Sequence, residues 1–364
     1  MRKVFLCMLA IFAFAFSALC EAGQAIDFSH IQAQLTYEAE MIDLRQIFTE
    51  IMSGEFSIEP GQVMDKVTGA VYGRVGSVSK FLTKAAFFML MTAFFKRLTP
   101  EGKNAKGAHL AIHLIVALSM YKEISVFFAL AKEAIERIAS LIDALTPIFV
   151  SVIALTGDAH TSAFITPLGA FVAGALSTYF QKGAFRILEA LACLCLAGAV
   201  SDLPLGKLTD TVRSMFKWLI GVIVSVFLFF MSTGGAIAGA YDGAFLKGLK
   251  FAADSLIPIV GSDIAGKMES ITGSAQLVKS AAGVTGVIAL VSACLMPAID
   301  VFLAMWGLRA LSAIVQCVSD KETTNLADSF SGVFSLMFSL ILASLCMAVM
   351  YAGVFVGIGR RALF

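Results

Sequence analysis

The chain has 364 residues, 59% hydrophobic and 15% charged, with a formal net charge of +1. A soluble domain runs nearer about 45–50% apolar and about 25% charged, so both departures point to a polytopic membrane protein. The near-neutral balance gives no electrostatic case for a nucleic-acid partner.

Residues 1–25 have the layout of a secretory signal peptide. Met1, Arg2 and Lys3 form a basic start, Val4 to Ala18 an apolar run, and Ala22 and Ala25 are the small residues before a cut. Cleavage is favoured over an uncleaved first span because the run is short for a crossing of about 20 residues. An exported N-terminus follows. Residues 26–80 are then expected as an extracytoplasmic amphipathic segment. Tyr37, Met41, Leu44, Phe48 and Ile51 recur at steps of four and three, with acidic residues between them. The acidic face argues for docking on protein over lying on the membrane surface. Gly54 and the Pro60–Gly61 pair end this helix. Val63 to Lys80 reads as a second, weaker amphipathic segment.

Residues 81–233 are expected to hold six transmembrane helices. Phe81 to Phe95 is the first span, and Lys96, Arg97, Lys103 and Lys106 make the following loop cytoplasmic. Ala108 to Tyr121 returns across the membrane. His109 and His113 lie on one of its faces, as helix–helix hydrogen bonders before metal ligands, since no carboxylate or cysteine has matching spacing. Lys122 to Ile138 interleaves charge with apolar residues and reads as helix outside the membrane core. The next spans are Ala139 to Thr156, Phe164 to Tyr179, Ile187 to Val200 and Trp218 to Met231. The basic loop from Gln181 to Arg186 conflicts with the charge rule unless the count slips by one or Arg186 pairs with Glu189. The seven cysteines sit in the leader or in apolar runs. Cys193 and Cys195 point about 200° apart on a helix, which suits no shared metal.

Residues 234–364 differ from plain apolar spans. Gly235, Gly239 and Gly243 recur every four residues, the spacing that lets helices approach closely in lipid. Tight packing within one subunit and an oligomer interface are both open. Lys250, Asp254, Pro258 and Gly261 mark a stretch too polar for a plain span, which reads as re-entrant or interfacial. Gly273 and Lys279 lie in the small-residue run after it. Pro297 meets two apolar stretches, and Asp300 and Arg309 put charge into the second. A charge at membrane depth costs about 2.5–3.5 kcal/mol on insertion scales and faces a bundle interior or water. Asp300 is equally close enough to Pro297 to sit at the membrane surface. These nine positions are the candidate pore or re-entrant residues. A turn at Pro297 gives about nine spans and puts Arg360 and Arg361 in the cytoplasm. A mere kink there gives about eight.

The ordered patterns from Phe251 to Gly261, Gly273 to Gly283 and Val284 to Pro297, with the helix ending at Ser319 and Asp320, resemble stage III sporulation protein AE of endospore-forming bacteria. The resemblance implies an all-α, polytopic transmembrane helical bundle with N-terminal amphipathic helices outside the membrane. It implies a subunit of a channel or feeding complex in the mother-cell membrane facing the forespore, with other membrane subunits and the lipid bilayer as partners in an oligomeric assembly. A stand-alone small-molecule permease is the alternative, weakened by the lack of a convincing inverted repeat. No His-Glu-x-x-His, Gly-x-Ser-x-Gly or Walker-type loop is present, so neither enzymatic activity nor a cofactor is expected.

Overall fold

The computed structural model describes residues 44–53, 60–98, 105–156, 159–200, 205–229, 261–316 and 321–357. Among them there is helix and no β-strand. The elements are α1 (Leu44–Ser53), α2 (Pro60–Leu98), α3 (Ala105–Thr156) and α4 (Ala159–Gly174). A π-helical segment (Ala175–Ala184) runs straight into α5 (Phe185–Val200). Then come α6 (Gly206–Phe229), α7 (Gly261–Val315) and α8 (Lys321–Gly357). Among the described residues five helices are long and apolar enough to cross a membrane, within α2, α3, α6, α7 and α8. The all-α expectation for a polytopic transmembrane bundle holds. The leader, residues 26–43 and the segment 230–260 lie outside the described residues.

The helices are longer than hydropathy alone divides them. Val63 to Lys80 and the span after it form one helix, α2, of 39 residues. Its first residue is Pro60, whose fixed φ and missing N–H suit that position. No further proline or capping signal separates the two halves, so the change in hydropathy at residue 80 breaks no backbone hydrogen bond. Lys122 to Ile138 is likewise the middle of α3, which has 52 residues. At about 1.5 Å per residue α3 is about 78 Å long, more than twice an apolar core of about 30 Å.

Pro297 is a correction. It lies inside the 55-residue helix α7, so the two short crossings that a turn there required do not form. Pro147 and Pro167 lie inside α3 and α4 in the same way. Helices in apolar surroundings keep such prolines because neighbouring helices and side chains re-satisfy the freed backbone groups.

The bundle is arranged around α7, which touches α1, α2, α3 and α8. Small buried residues on it, Ala282, Gly286, Ala289 and Ala293, let neighbours close in. A Cβ built on Gly286 would stand 3.2 Å from Phe149 and 3.3 Å from Leu145 of α3. With little hydrophobic drive between helices in lipid, such close van der Waals packing holds them together. Large side chains fill the gaps between the helices. Phe81, Phe127 and Phe334 join α2, α3 and α8 edge to face, with ring centroids 5.0 to 5.8 Å apart. Phe149 stacks on Phe355 at 3.8 Å. Helix α1 also docks on α7, burying Ile51, as an amphipathic helix should.

Contacts fix the heights of the helices. Arg74 meets Asp300 and Leu82 meets Gly307, so α2 runs parallel to α7. The Ser312–Thr324 and Met305–Ser331 contacts make α7 and α8 an antiparallel hairpin. Lys84 on Glu123 makes α3 antiparallel to α2. Cys195 near Arg213 and Gly198 near Leu205 fold α6 back along α5. Arg213 in turn reaches Ser329 of α8 at 3.0 Å.

Gly169 of α4 is buried where Thr146 and Tyr351 hydrogen bond at 2.7 Å. A Cβ there would collide with both hydroxyl oxygens. Gly169→Ala is expected to destabilise the protein in detergent by about 1–3 kcal/mol, the usual cost of overpacking. The loss should be smaller in a Tyr351→Phe background, as read by thermal unfolding of single and double variants.

Candidate functional site: charge pairs inside the bundle

Asp300 is the charge most deeply buried in the described bundle, with its side chain 6% exposed. Its Oδ2 stands 3.4 Å from Nη1 of Arg74, and Oδ1 is buried with no hydrogen-bond partner. Asp300 is therefore enclosed by protein. It faces α2 from the interior of α7. Arg74 is about one-third exposed and reaches inward from the polar half of α2. Sequence reasoning missed Arg74, because a partner 226 positions away leaves no local periodicity. The available signal was an arginine set among glycine, valine and serine over residues 71–79.

Arg309, a turn or two further along α7, finds a different kind of partner. Its Nε donates to Ser331 Oγ of α8 at 2.9 Å, and that hydroxyl donates to Met305 O at 3.2 Å. The guanidinium lies 5.7 Å from the Trp306 ring. Arg309 thus ties the two arms of the α7–α8 hairpin, and a planar fork that also stacks suits the place better than a lysine. Asp300 and Arg309 belong to separate contacts.

Further polar ties cross the bundle. Lys84 of α2 binds Glu123 of α3 at 2.7 Å. Lys132 of α3 binds Glu189 of α5 at 2.5 Å and lies 5.6 Å over the Phe185 ring. Gln181 in the π-helical segment donates to Glu136 at 2.9 Å. The expected Arg186–Glu189 pair is a correction: Glu189 turns to Lys132, and Arg186 is exposed. The π-helix widens each turn by one residue, as the Phe185 N–H bond to Phe180 O records, and such segments gather at functional sites. Arg213 of α6 donates to Ser329 O at 3.0 Å and lies 2.9 Å from where a Cβ on Gly332 would be. Only glycine leaves the guanidinium that room. Thr92 meets Thr323 at 3.3 Å.

Gly235, Gly239, Gly243, Lys250, Asp254 and Pro258 lie outside the described residues. Gly261, Gly273 and Lys279 fall on the first part of α7, before Ala281, where its side chains begin to be described. Among the described residues no group of three or more His, Cys, Asp or Glu side chains comes together to hold a metal. The arrangement joins helices, through charge pairs and through arginines held by a hydroxyl, a ring or a carbonyl.

Removing one member of a buried ion pair strands the other. Arg74→Ala is expected to cost about 1–3 kcal/mol, reduced from a fully buried pair because Arg74 is partly exposed. The Arg74→Gln, Asp300→Asn double variant should lose less than Arg74→Ala, measured by thermal unfolding in the same detergent.

The chain was also compared with known proteins. A family model described as stage III sporulation protein AE matches residues 42–359. A protein of Bacillus subtilis (strain 168) named stage III sporulation protein AE is 22% identical over 307 residues, covering 80% of this chain and 77% of that protein. No solved structure matches. The family match begins just before α1 and ends just after α8, so it takes in the whole bundle and every charge pair described above. On that match the chain belongs to the stage III sporulation protein AE family.

Proposed function

We propose that this protein is a membrane subunit of a sporulation channel or feeding complex. It sits in the mother-cell membrane facing the forespore, works beside other membrane subunits in an oligomer, and is needed for forespore development after engulfment. It carries out no catalysis of its own. Family membership supports the sporulation role, and the five long apolar helices support residence in the membrane. The observation that carries the subunit reading is where the ionisable groups go. Arg74 and Asp300, Lys84 and Glu123, and Lys132 and Glu189 are matched across helices. This stiffens a scaffold, and among the described residues no group of three or more His, Cys, Asp or Glu side chains comes together.

Deleting the gene in its spore-forming host should arrest development after engulfment, with a fall in heat-resistant spores that a copy supplied in trans restores. Heat-resistant spores at the parental yield in the deletion strain would refute the role.

A further inference from the structure

We infer that the outward face of the first half of α2 lines a water-filled passage at bilayer depth, while α6, at the same height, faces lipid. The inference deepens the channel reading and rests on it for what the passage is for. The contrast between the two faces stands without it.

The heights follow from contacts already given. Phe81 of α2 packs on Phe334 of α8, two residues beyond Gly332, which touches Arg213 of α6. From there α2 runs back toward Arg74, while α6 runs forward from Arg213 alongside α8. Residues 69–81 of α2 and 215–229 of α6 therefore occupy one band of the bundle. Both lie beside the most apolar parts of α7 and α8, which border the pair Arg74–Asp300.

Within that band the two outer faces differ in chemistry. On α2 the exposed positions include Gly69, Gly73, Gly76, Ser77, Ser79 and Lys80, with Tyr72 and Val75 the large apolar exceptions. Nothing lies within 4 Å of where a Cβ would stand on Gly69, Gly73 or Gly76, so these glycines face open space and not a packed helix. On α6 the exposed positions are Met215, Lys217, Trp218, Gly221, Val222, Ser225, Val226, Leu228 and Phe229, with Lys217 near the start of the band and the run from Val222 onward mainly apolar. Lipid solvates that run well. It solvates the glycines, serines and Lys80 of α2 less well, because polar and charged groups at bilayer depth are costly and are met facing water or a bundle interior.

The polar surface also continues round the bundle at this height. Glu133 and Glu136 of α3, Lys182 of the π-helical segment and Arg186 of α5 are exposed there. Polar outer surface at membrane depth on α2, α3, the π-helical segment and α5, with a more apolar surface on α6, is the layout of a wall between water and lipid.

Single cysteines at Gly73, Gly76, Val222 and Val226 test this in the full-length chain. Membranes are taken from the sporulating host, so that every partner is present. Each is treated with a charged methanethiosulfonate, which reacts with thiols that water can ionise, and is read against the parent chain. Gly73→Cys and Gly76→Cys should react several-fold faster than Val222→Cys and Val226→Cys. Lys80→Cys, at an exposed site, gives the same reading if a glycine variant fails to accumulate. Equal protection at all positions overturns the passage, since α2 would then face lipid or protein. Equal reaction at all positions overturns it too, since the band would then lie outside the bilayer. The sporulation role falls separately, by normal spores from the deletion strain, whichever labelling pattern is found.

Discussion

An apolar bundle can hold a charge only where another helix answers it. Desolvating an ion costs several kcal/mol even in a relaxed protein, and only a well-placed partner returns that free energy. Asp300 is the severest case, because it is almost wholly buried and one of its oxygens has no donor. Arg74 answers it from α2, and in doing so sets where α2 can lie. A helix whose first half carries glycine, serine and lysine on its outer face is thereby held along α7 beside the most apolar part of the molecule. The parallel register, the Leu82–Gly307 contact and the polar outer wall all depend on that placement.

The same rule operates in graded form elsewhere. Lys132 and Glu189 are each about one-third exposed, so their pair is partly screened and adds less to stability than to the alignment of α3 with α5. Arg309 uses the Ser331 hydroxyl of α8 and the Trp306 ring of its own helix. Arg213 uses a backbone carbonyl and the space left by Gly332. Together these ties join α2, α3, α5, α6, α7 and α8. Small residues on α7 then let the joined helices close to contact distance, where dispersion adds up.

Much of this was legible in the sequence, and what was not has a physical reason. Composition alone made the chain a polytopic helical membrane protein. The periodicity of Leu44, Phe48 and Ile51 found α1, and Gly54 marked its end. Hydropathy failed at helix ends, because it reports where the solvent changes and not where backbone hydrogen bonds stop. Val63 to Lys80 and Lys122 to Ile138 are thus parts of longer helices. Pro297 misled in the opposite direction, since a proline ends a helix in water but is tolerated when other helices surround it. Asp300 and Arg309 stood out as charges in an apolar run. Their partners Arg74 and Ser331 did not, because pairing between helices is set by the packed fold. Glu189 shows the same limit: Arg186 is near in sequence, yet Lys132 is nearer in space.

The central claim is that α2 lies parallel along α7, with its polar half held against the bundle by Arg74. The most direct test is oxidative cross-linking of a Leu82→Cys, Gly307→Cys variant in intact membranes. The side chain of Leu82 lies against the spot where a Cβ on residue 307 would stand, so the two thiols should form a disulfide within one chain on mild oxidation. A compact, reducible species on gels is the predicted result. Failure of the thiols to couple, while each alone accepts a small maleimide, would show that α2 lies elsewhere and would contradict the account.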